Sequence, residues 1–76
     1  MEERRELTNT LLVGFLKHKG FTVTAHRQGK LTSFIVEGDG VTEAIEEFYK
    51  NPLVPIQDFV NSYKMIRNMM FDLRGT

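Results

Sequence analysis

The residues on either side of Gly29-Lys30 alternate between apolar and polar, and that alternation constrains the fold more than any other feature of the chain. With a two-residue turn that has glycine first, Gln28 faces Leu31, Ala25 faces Phe34 and Val23 faces Val36. One face of the hairpin then carries Phe21, Val23, Ala25, Phe34 and Val36. The other carries Thr22, Thr24 and His26 against Leu31, Ser33 and Ile35. A slip of one residue scatters both sets, so the pattern and the turn support each other. An isolated hairpin is not stable in water, and its apolar face must be covered by the rest of the chain.

The flanking segments change to a helical period. Leu7, Leu11, Leu12, Phe15 and Leu16 form an apolar stripe before the hairpin, with Thr8 or Asn9 as cap and Gly20, after Lys17 and Lys19, as a left-handed stop. Glu2, Glu3 and Glu6 extend that helix toward the N-terminus in this reading. After the hairpin, Gly38-Asp39-Gly40 breaks the strand, and Asp39 is expected to cap a second helix. That helix turns Val41, Ala44, Ile45 and Phe48 inward and Glu43, Glu46 and Glu47 outward, and Asn51-Pro52 ends it. Pro55 and Asp58 open a third helix, which Gly75 stops. Its inward face holds Ile56, Phe59, Val60, Tyr63, Ile66, Met70 and Leu73, and Phe34 and Phe59 are expected to be fully buried. The expected fold is α+β: a two-stranded antiparallel β-hairpin with three helices, order α-β-β-α-α, in one helical layer. Residues 1–76 form a single small domain in this reading.

At 76 residues the chain buries only about 60% of its unfolded surface, so the core is thin. With no cysteine, disulfides, thiolate metal sites and thiol catalysis are excluded. The apolar run Leu11 to Leu16 is too short to cross a membrane and precedes no small-residue cleavage site, so a cytoplasmic location without a membrane partner is expected. Ten Lys and Arg balance ten Asp and Glu, which removes any general attraction to polyanions. The charge is nevertheless segregated. Lys17, Lys19, Arg27 and Lys30 follow one another without an acid, whereas Glu37, Asp39, Glu43, Glu46 and Glu47 do so without a base.

In this order the segments resemble a family of short prokaryotic and phage-encoded domains of unknown function. The resemblance is carried by Thr8-Asn9-Thr10-Leu11-Leu12-Val13-Gly14-Phe15-Leu16-Lys17-His18-Lys19-Gly20-Phe21, by Ser33-Phe34-Ile35-Val36-Glu37-Gly38-Asp39, by Ile45-Glu46-Glu47-Phe48-Tyr49-Lys50-Asn51, and by the closing helix from Phe59 to Arg67. It covers roughly Thr8 to Met70. Asn9 stands where that family usually has Asp, and Leu7 where it has a first capping Thr. The resemblance implies a phage or mobile-element setting and carries no activity with it.

No residue constellation points to catalysis. His18 and His26 lack the further ligands a metal needs, and His26 across from Ser33 lacks an orienting acid and an oxyanion loop. Glu43, Glu46 and Glu47 share one solvated face, with nothing to separate their acidities. Gly38-Asp39-Gly40 lacks the spacing of a phosphate loop and the ligand series of a calcium loop. The chain is therefore expected not to be an enzyme and to need no cofactor. Its leftover apolar residues, Leu31, Ile35, Met65, Met69 and Phe71, are the candidate protein interface, for a homodimer or for docking on a larger host protein. The alternative is a nucleic-acid-binding domain using Lys17, Lys19, Arg27 and Lys30.

Overall fold

The computed structural model describes residues 2–74, as far as the backbone alone at Arg74. Gly75, expected to stop the last helix, lies outside the described residues. Six elements follow one another: strand β1 (Glu3–Leu7), helix α1 (Thr10–His18), strands β2 (Thr22–Gln28) and β3 (Leu31–Gly38), and helices α2 (Val41–Tyr49) and α3 (Ile56–Arg74). The class is α+β, but the order is β-α-β-β-α-α. The sheet has three strands in the order β1-β3-β2, antiparallel at both junctions.

The expected hairpin register is present: Ala25 opposes Phe34, Val23 opposes Val36, His26 opposes Ser33 and Gln28 opposes Leu31. Gly29 has φ 61°, while Lys30 keeps the ordinary negative sign, the pattern of a type II′ turn. The segment Glu3 to Leu7 corrects the expected N-terminal helix. It pairs with β3, with Arg5 opposite Val36 and Leu7 opposite Phe34. β3 thereby becomes the central strand, which fits its two fully buried side chains, Phe34 and Val36.

Asn9 starts α1, its side chain accepting hydrogen bonds from the amides of Leu11 at 3.0 Å and Leu12 at 3.2 Å. The helix ends in a Schellman turn, with the amide of Phe21 on the Leu16 carbonyl and that of Gly20 on the Lys17 carbonyl. α1 is the middle of the helical layer. It packs on α2 on one side and on α3 on the other, while α2 also meets β1 and α3 meets β2. That central position explains why five consecutive residues, Leu12 to Leu16, are all buried. Gly14 is the contact point with α3: a Cβ there would lie 3.2 Å from Tyr63 Cα.

Lengths matter here. α3 has 19 residues and α1 has nine, so about half of α3 has no helical neighbour along α1. Ile66, near the contact point, is fully buried. At the first turn Ile56 is 66% exposed, and Phe59 is only partly buried. Both were expected to face inward, Phe59 completely; Phe59 packs against the core but stays partly exposed, and Ile56 is left in solvent because α3 overhangs α1 there. The start of α2 differs as well, because Gly40 with φ 86° takes the cap position in place of Asp39.

Two outcomes test this arrangement. Phe34→Ala removes the ring at the centre of the sheet and is expected to cost about 3–5 kcal/mol, most of the stability of a domain this size, measured by urea unfolding. Gly29→Val places a β-branched residue at positive φ and is expected to cost at least about 1 kcal/mol. An unchanged midpoint for either variant contradicts the assigned register.

Candidate interaction surface

The hairpin sets a long axis. Its turn at Gly29-Lys30 is one end, the tip; Gly38, about 25 Å away by strand rise, marks the other, the base. Three contacts place the helices along it. Arg27, near the tip, donates to the Leu73 carbonyl at 3.2 Å and to the Gly29 carbonyl at 2.9 Å, which fixes the C-terminal end of α3 at the tip. Lys19, which leads into β2 at the base, pairs with Glu47 of α2 at 3.3 Å and lies 5.8 Å from the Phe15 ring centroid. Glu3, opposite Gly38, reaches the start of α2.

That last contact is the most developed polar site among the described residues. Glu3 Oε1 accepts from the amides of Gly40 at 3.1 Å and Thr42 at 3.4 Å, and Glu3 Oε2 accepts from the Thr42 hydroxyl at 2.6 Å. Arg5 Nη2 donates to the same hydroxyl oxygen at 3.0 Å. A carboxylate from a remote strand thus caps a helix whose own cap position, a glycine, has no side chain to offer. The Thr42 hydroxyl, then the amides of Thr42 and Gly40 and the charge of Arg5, hold the Glu3 carboxyl below its ordinary value, against partial desolvation. These contacts all run within the chain, and they tie β1 to the start of α2.

The sequence-derived interface does not form one surface. Leu31 is at the tip and 74% exposed, and Phe71, on the last turns of α3, is 56% exposed at the same end. Ile35 is half-buried in the uncovered sheet face, between Glu6 of β1 and Thr24 of β2. Met65 is 53% exposed, whereas Met69 packs against the core. The wheel of α3 did not expose a second apolar group, at the base. Tyr49 is 67% exposed, Leu53 fully so and Ile56 66%. Leu53 lies in Pro52-Leu53-Val54-Pro55, outside every helix and strand; its place in a proline-braced loop was the available signal.

The four candidate cations are separated. Lys17 and Lys19 belong to the base, Arg27 and Lys30 to the tip, and both Lys19 and Arg27 have partners within the chain. On the open sheet face the Ser33 hydroxyl donates to Glu6 at 2.7 Å and meets the His26 backbone carbonyl, not its ring. Among the described residues there is no enclosed pocket, no group of three or more potential metal ligands, and no helix long and apolar enough to cross a membrane. No protein-family model, curated protein or solved structure matches the chain.

The Glu3 cap has a testable pH dependence. Because its folded pKa is depressed, its stabilising effect is complete above the unfolded glutamate pKa and is lost as pH falls through the folded pKa. Thermal melts from about pH 7 to about pH 3 are expected to show a fall in Tm that is shallower in Glu3→Gln. Superimposable profiles contradict the cap.

Proposed function

We propose that the chain is a small non-catalytic protein-interaction module that self-associates through exposed apolar side chains. What supports the reading is the number and size of those side chains on a domain with a thin core: Leu31, Leu53, Met65 and Phe71 are all more than half exposed. The sequence resemblance adds a phage or mobile-element accessory role, in the cytoplasm, with a host component as a further partner. The nucleic-acid reading has less support, since Lys19 and Arg27 are held internally and the basic residues divide between two ends.

Sedimentation velocity of the full chain from micromolar to submillimolar concentration tests this. The weight-average mass is expected to rise above 8.8 kDa with concentration, and Phe71→Glu to shift it back toward the monomer. A monomer throughout contradicts self-association.

A further inference from the structure

We propose that copies of this chain associate head to tail, the basic apolar tip of one seating on the acidic apolar base of the next. The proposal rests on the self-association reading and specifies its contact. Both ends are apolar. Leu31 and Phe71 stand out at the tip, and Tyr49, Leu53 and Ile56 at the base, with exposures from 56% to fully exposed. These groups have a common origin in the length of α3. Its two ends extend beyond the nine-residue α1, and each overhang carries one of the groups' side chains, Ile56 or Phe71.

The two ends differ in sign. Around the base group, Glu43, Glu46 and Glu47 on α2 and Asp58 in the first turn of α3 outnumber Lys17, Lys19 and Lys50, and Lys19 is paired with Glu47. At the tip, Arg27, Lys30 and Arg67 stand against Asp72, and the Arg67 guanidinium lies 5.7 Å from the Phe71 ring centroid. The tip is therefore net basic and the base, by a smaller margin, net acidic. A two-fold contact through either end would set like charges against each other, which is unfavourable at close range. A head-to-tail contact sets opposite charges around matching apolar centres.

Two or three exposed apolar side chains at each end bury less together than the roughly 1,000 Å² at which specific interfaces begin. The association is accordingly weak and depends on concentration. A contact between unlike surfaces leaves one free end on each side, so assembly continues past the dimer, to a ring or an open chain.

Complementation distinguishes this geometry from any two-fold one. Leu31→Glu disables the tip and Leu53→Glu the base, and both positions are exposed enough for the fold to be kept, which circular dichroism checks. Each variant alone is expected to self-associate at least about tenfold more weakly than wild type. An equimolar mixture is expected to give a 1:1 dimer and nothing larger, weakening as salt rises, because one intact tip meets one intact base. If wild type associates but the mixture stays monomeric, the head-to-tail contact is wrong and self-association stands. If wild type stays monomeric at every concentration, both are wrong.

Discussion

The contact between Glu3 and the start of α2 is the constraint on which the rest of the architecture depends. A strand of five residues, four of them charged, brings little apolar surface to the sheet. Main-chain pairing with β3 alone leaves such a strand marginal at an edge. The Glu3 carboxylate adds a second attachment by satisfying two helix amides and a hydroxyl in a helix that begins at a glycine. Once β1 is held, β3 is flanked on both sides, Phe34 and Val36 are enclosed, and α2 is fixed against β1. The favourable alignment of a carboxylate with the positive end of a helix serves the same purpose.

The hairpin was fully legible because two independent signals, period and turn, agree on one register. β1 was not. Glu-Arg-Arg-Glu-Leu has no apolar alternation, and Glu and Arg favour helices, so local preference pointed the wrong way. Tertiary contacts make it a strand: main-chain pairing with β3, Leu7 against the core and Glu3 against α2. The start of α2 failed for a related reason. Asp39 has the cap chemistry, but the helix begins one residue later, and a carboxylate 37 positions away supplies the acceptor at Gly40.

The candidate surface was legible only in part, and helix length is the cause. A wheel sorts the residues of α3 by angle and treats every turn alike. The structure sorts them also by position along the axis, because α1 covers only the middle of α3. Ile56 shares the inward side with Ile66 yet is exposed, since it sits at an uncovered end. Met69, assigned to the leftover surface by angle, packs on the core. Leu53 belongs to no periodic element, so no period could have singled it out.

Mass action bears on why these ends are apolar at all. Among the described residues the buried core comprises nine side chains, a small reserve against the conformational entropy of more than seventy residues. Association that occurs only in the folded state adds stability that grows with the logarithm of the partner concentration once this exceeds the dissociation constant. The open sheet face offers little for this, because Ser33 and Glu6 already satisfy one another and Ile35 is half covered by its neighbours. The ends of α3 are different. Shortening that helix to match α1 would remove both overhangs and expose less apolar surface, but it would also remove the Leu73 carbonyl that holds Arg27 at the hairpin turn. The long helix therefore links two consequences: it braces the tip of the sheet, and it leaves apolar side chains at both ends.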